Sequence, residues 1–136
     1  MIESLIIDKL LADKDIRQYC SGNIFIGSAP EGTQTPYIVV EAEDGFDESG
    51  ALSLFGITIN IYHYNEDTRP LRKASQKIIE ALLFEELAGD GYSSVRLFFH
   101  NRQPIKEPDS SLSRVLIQFE ARGCNDDLVN NITNLN

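Results

Sequence analysis

Side chains able to do chemistry are few in these 136 residues, and their spacing is poor. His63 and His100 are the whole imidazole inventory, and neither has an HxxxH or Cys–His cluster beside it. A metal needs three or four ligands at set spacings, so no metal site is expected. Cys20 sits near Arg17, a cation that would favour the thiolate. At a helix end among apolar residues it reads instead as a small packing residue. Cys20 and Cys124 lie far apart, so no disulfide framework is expected, and a reduced, cytosolic setting fits their use.

Gly27 to Gly32 has the G-x-x-x-x-G spacing of a phosphate loop, but Thr33 stands where lysine is needed. Pro30 removes a backbone donor that would cradle the phosphate, and no helical pattern follows. Glu41 and Glu43 would share one side of a strand, with Asp44, Asp47 and Glu48 in the loop behind them. Close carboxylates can serve as acid and base or hold a hard cation. The D-x-[DN]-x-[DN]-G pattern of a calcium loop is missing, and so is a G-x-S-x-G nucleophile turn. This reads as a solvated acidic loop. No catalytic, cofactor-binding or metal-binding set is assigned, and an enzyme is not expected.

The basic residues are more suggestive. Arg69, Arg72, Lys73 and Lys77 recur at helical offsets, forming a cationic stripe at the start of a helix, with Glu85 and Glu86 at its end. That polarity opposes the helix dipole, which favours anions at the start and cations at the end by ~0.3–1 kcal/mol per exposed charge. Glu66 and Asp67 offset part of the unfavourable term. The stripe is either an ordinary solvated face or one half of an interface. Its natural complement is the acidic stretch Glu43, Asp44, Asp47 and Glu48 on another copy, which would orient a head-to-tail assembly.

With 21 acidic against 12 basic residues, the chain carries a formal charge of −9, which argues against a binder of nucleic-acid phosphates and against anionic membrane surfaces. Apolar runs are as short as Tyr37 to Val40, so no segment is expected to span a bilayer. Glu3 and Asp8 flank the first apolar residues with no basic region before them, unlike a signal peptide. Asn131-Ile132-Thr133 matches a glycosylation triplet and is read as chance.

The elements around these residues follow from periodicity. Ile2, Leu5, Ile6 and Leu10 mark an amphipathic helix that weakens near Asp13, with a second short turn from Ile16 to Tyr19. Ser21-Gly22 closes it. Asn23 to Ile26 reads as a short strand, and Gly27 to Pro36 as a loop. Tyr37 to Ala42 is a second strand, hairpin-connected to a long one from about Leu52 to Tyr64, in which Phe55, Ile57, Ile59 and Ile61 line one face. A helix begins near Asp67 or Thr68, with Pro70 in its first turn, and Gly89-Asp90-Gly91 ends it. Strands around Val95 to Phe99 and Val115 to Ala121 follow, separated by a loop from Pro104 to Ser113. The expected fold is α+β: an antiparallel sheet of four to five strands with two main helices on one face, in the order α-β-β-β-α-β-β. Residues 1–123 should form a single domain, and 124–136, rich in asparagine, a loosely ordered tail.

Asn23-Ile24-Phe25-Ile26-Gly27-Ser28-Ala29-Pro30-Glu31-Gly32, followed by Thr35-Pro36-Tyr37-Ile38-Val39-Val40, resembles the signature of the tail-completion family of long-tailed bacteriophages, which includes tail terminators and tail-to-head joining proteins. The resemblance covers Ile2 to about Arg122: a leading helix, a short strand, an A-P-x-G loop, P-Y-(V/I)-V, a long alternating strand, an Ala/Leu-rich helix and two final strands. It implies a structural protein, without cofactor or catalytic residues, that forms a ring, typically hexameric, capping the tail tube and docking to the head connector. Its subunits would be either ring-forming in solution or monomeric there until they meet the tube. DNA would pass through the channel without specific binding, which a negative lumen suits. The implied location is the virion tail or neck, with assembly in the bacterial cytoplasm. The connection around Gly45 to Gly50 and the Pro104-to-Leu112 loop would be contacts to tube or connector. Two other readings compete: a head-side neck or head-completion protein, and a small bacterial α+β ligand-binding or enzymatic domain with a deep polar pocket.

Overall fold

Asp13 both stops one helix and starts the next. The structure, a computed structural model, describes residues 1–44, 52–83, 85–89, 91–108 and 112–125. Helix α1 (Ile2–Ala12) buries Ile2, Ile6 and Leu10. Asp13 leaves the helix with extended backbone, and its Oδ1 accepts the amides of Asp15 and Ile16 at 2.9 and 3.1 Å. That cap opens α2 (Lys14–Cys20), which buries Ile16 and Cys20. Ser21 and Gly22 close it with positive φ, as their place after the last apolar residue predicts.

Six strands form one sheet: β1 (Ile24–Ile26), β2 (Tyr37–Asp44), β3 (Leu52–Tyr64), β4 (Glu86–Gly89), β5 (Tyr92–Lys106) and β6 (Leu112–Asn125), in the spatial order β1-β2-β3-β6-β5-β4. The α+β class holds, but the strand count and pairing differ from expectation. β1 runs parallel to β2, while the other neighbours are antiparallel. The loop 27–36 carries the chain back along the sheet edge, so the sheet is mixed.

The sixth strand, β4, lies where the helix was expected to continue. Helix α3 (Arg69–Leu82) stops earlier, because Leu83 turns extended. Residues from Leu83 to Ala88 are good helix formers by type. Tertiary contacts override that preference: Leu87 is buried, and Glu86 reaches Ser94 and Arg96 across the β4–β5 pair. The stretch Pro104 to Lys106, expected as loop, continues β5 instead. β4 pairs only with Tyr92 to Arg96, so β5 is an open edge at Pro104, where a missing N–H costs no ladder bond. A register shift between Phe99 and Asn101 aligns Arg102, Pro104 and Lys106 with the helix-covered face of β6.

All three helices pack on one face. There β2 contributes Ile38 and Val40, β3 contributes Ile57, Ile59 and Ile61, and β6 contributes Ile117, Phe119 and Ala121. They meet Ile6 and Leu10 of α1, Ile16 of α2, and Leu71, Ile78 and Leu82 of α3. Complete burial of each such side chain stabilises the fold by about 1.5–3 kcal/mol. Gly123 allows β6 to lie close against β5: a Cβ there would meet Val95 Cγ2 at 2.8 Å and the Ser94 carbonyl at 3.0 Å.

Among the described residues the opposite face has no helix, and its own side chains cover one another. Phe25 stands edge-on to Tyr37 at 6.3 Å, Tyr37 stacks on Tyr62 at 4.9 Å, and the Arg114 guanidinium lies 5.7 Å from the Tyr62 ring centre. Val39 and Asn60 are buried beside this row.

Candidate functional site

The four cations expected to form one stripe do share the solvent side of α3, opposite Leu71, Ala74, Ile78 and Leu82. Their partners divide them. Arg69 clasps Asp67 through two 2.9 Å bonds, and Asp67 also accepts the Arg69 amide at 3.1 Å. These bonds hold the Asp67 carboxyl below its ordinary range. Lys77 lies 3.2 Å from Asp15 of α2, which raises the ammonium's pKa. Arg72 and Lys73 are exposed and make no ion pair among the described residues. Glu85 and Glu86 are not at the helix end: Glu85 follows it and pairs with Lys9 at 3.5 Å, and Glu86 belongs to β4. The basic start of α3 remains, and the acidic end belongs to another element.

Glu43 and Asp44 close β2, opposite Gly56 and Phe55 of β3. Glu41 and Glu43 are exposed and share the helix-free face with Val39. Asp47 and Glu48, and the connection Gly45 to Gly50, lie outside the described residues. α3 begins just past Tyr64, at the other end of β3. At ~3.3 Å per residue, the Asp44–Phe55 pair and the start of α3 are roughly 30 Å apart. Of the expected residues, Glu43 and Asp44 therefore sit at the opposite end of the sheet from the cationic start of α3 and do not meet it within one chain.

A groove of about 930 Å³ opens at the cationic end, between the first turns of α3 and the ends of β5 and β6. Leu71, Pro104 and Val115 give it an apolar floor, and Arg72, Arg102 and Lys106 line it. Arg102 is held by neutral acceptors, Ser75 Oγ at 3.4 Å and Gln76 Oε1 at 3.2 Å. Its carboxylate, Glu107, is taken by Arg114 at 2.6 Å, and Arg114 also donates to Asn60 Oδ1 at 3.1 Å. Arg72, Arg102 and Lys106 thus have no carboxylate partner among the described residues. Arg102 and Lys106 were missed in the sequence because Pro104 between them reads as a loop; their alternation was the available signal.

The histidines stand apart. His63 is buried, and its Nε2–H donates to the Asp67 carbonyl at 2.9 Å, which fixes Nδ1 as acceptor for the Tyr19 hydroxyl at 2.8 Å. Burial raises the Tyr19 phenol well above its ordinary range, so it stays a donor. The pair ties α2 to the start of α3. His100 lies on the surface, 3.2 Å from Glu120. Cys20 is buried, its thiol bonded to the Ile16 carbonyl at 3.3 Å and raised by burial. Among the described residues no group of three His, Cys, Asp or Glu could hold a metal ion, and no helix is long and apolar enough to cross a membrane.

Set against known proteins, this architecture has clear relatives. A chain from the structure described as "Virion of native gene transfer agent (GTA) particle" superposes with a TM-score of 0.76 at 16% identity, covering 91% of this chain and 95% of that one. A second solved chain superposes with a TM-score of 0.61 at 14% identity, covering 91% and 90%. At such identities the likeness is one of fold. No curated protein matches the sequence. The family description "Tail completion protein gp17" matches residues 4–123, from the first helix through the last strand. The chain therefore belongs to the tail completion protein gp17 family, whose members are structural proteins of phage tails.

Proposed function

We propose that the protein assembles head-to-tail into a ring, typically hexameric, that caps the finished tail tube and joins it to the head connector. The observation that carries this reading is the separation of charge. Cations with no carboxylate partner among the described residues gather at the α3 end of the sheet, and exposed carboxylates at the far end of β2. Complementary patches at opposite ends of a rigid sheet satisfy each other only between copies, and a heterologous contact of that kind closes into a ring when its rotation allows. The family match and the fold shared with a virion chain support it. A net charge of −9 suits a lumen through which DNA slides without being held.

Electron microscopy of particles lacking the protein tests the role. Tails of irregular length, separate from heads, are expected. Tails that stop at uniform length and join heads without the protein would reject it. A gene position just upstream of a major tail tube gene is a second, cheaper check.

A further inference from the structure

We infer that the groove between α3 and the β5–β6 end is the seat for the acidic β2–β3 connection of a second copy. This rests on the ring reading above and names the contact within it. The groove combines an apolar floor, Leu71, Pro104 and Val115, with three cations that no carboxylate among the described residues neutralises, Arg72, Arg102 and Lys106. Its ideal occupant is a short acidic segment carrying one large apolar residue. The sequence supplies such a segment at Glu43-Asp44-Gly45-Phe46-Asp47-Glu48, in which Phe46 has carboxylates on both sides.

A chain cannot insert this segment into its own groove. Asp44 pairs with Phe55, which pairs with Ala121, whereas the groove begins at Val115 of the same β6 strand. That is about 20 Å along the strand at ~3.3 Å per residue. Residues 45–51 join Asp44 to Leu52, and covalent geometry limits the reach of such a connection to about 14 Å from those two residues. The Asp44–Phe55 pair also lies at the end of the sheet away from the groove. The occupant is therefore another copy. Each chain offers one seat and one plug on opposite ends, and Phe46 fills the floor while Asp44, Asp47 and Glu48 face the three cations.

Two charge-reversed chains provide the test. R72E/K106E makes seat and plug both acidic, and D47K/E48K makes both basic. Each alone should self-associate at least ~10-fold more weakly than wild type in sedimentation equilibrium, with unchanged circular dichroism. Mixed one to one, every acidic seat meets a basic plug and every basic seat an acidic one, so association should return. Phe46→Ala should weaken it about 10-fold with all charges kept. Mutants that associate like wild type overturn the contact and leave the ring reading intact. Reversed chains that fail to recover on mixing also overturn it. So does a wild-type chain that stays monomeric up to about 1 mM; microscopy of tails then decides the ring separately.

Discussion

On its helix side, β3 presents Phe55, Ile57, Ile59 and Ile61, all buried, followed by the polar His63, bonded at both nitrogens. On the other side the same strand presents Thr58, Asn60 and Tyr62, of which Asn60 and Tyr62 meet Arg114 and Tyr62 joins the aromatic row. One face is held by packing that three helices complete. The other is held by pairs that cross strands without needing cover. The contrast separates what holds the fold from what is free to bind. Among the described residues the charge without an ion partner gathers toward the two ends, Glu41 and Glu43 at one and Arg72, Arg102 and Lys106 at the other, where strands stop and packing runs out.

Ways to break this contrast run from the core outwards. Ile59→Ala should cost about 2–5 kcal/mol in urea unfolding, since the side chain is wholly buried and α3 cannot collapse into the gap. Gly123→Ala should cost about 1–3 kcal/mol, because the added Cβ meets Val95 and the Ser94 carbonyl. On the open face, Asn60→Ala removes an acceptor of the half-buried Arg114, which keeps Glu107, so a loss near 1 kcal/mol is expected. At the ends, R72E/K73E should leave thermal stability within about ±0.5 kcal/mol, both residues being exposed and without an ion pair among the described residues, yet weaken self-association by light scattering. An unchanged oligomer mass would remove α3 from the interface.

The smallest effect is a pH limb. Arg122 and His100 hold the Glu120 carboxyl below its ordinary range. A depressed folded pKa means stability present above the unfolded value, ~4.3, and lost as pH falls through the folded one. Because the residue is near the surface, the limb should be shallow, and Glu120→Gln should flatten it in an acid melt. If it does not, the Glu120–Arg122 pair contributes nothing beyond its geometry.

Elements whose period matches their burial were legible. The long strand falls at Leu52–Tyr64 because alternation over that length leaves no other conformation able to bury Phe55 to Ile61. The break at Asp13 was visible because a side chain that caps a helix also interrupts the one before it. β4 was not, since Glu86 to Ala88 favour a helix locally and the reason for strand lies across the sheet in Val95 and Arg96. Pro104 misled for a similar cause: a proline signals a loop unless its strand lies at an edge, and edge position is set by β4's shortness.

The stripe on α3 shows where sequence stops. Helical spacing determined that Arg69, Arg72, Lys73 and Lys77 face solvent, because the opposite side is apolar. It could not determine that Asp67 and Asp15 neutralise two of them, or that Arg102 and Lys106 join Arg72. Periodicity along a chain is a one-dimensional property, and it decides which way a side chain points. Partnership depends on distances between segments far apart in the chain. Only the assembled sheet, with α3 beside the open end of β5, decides which charges are left over.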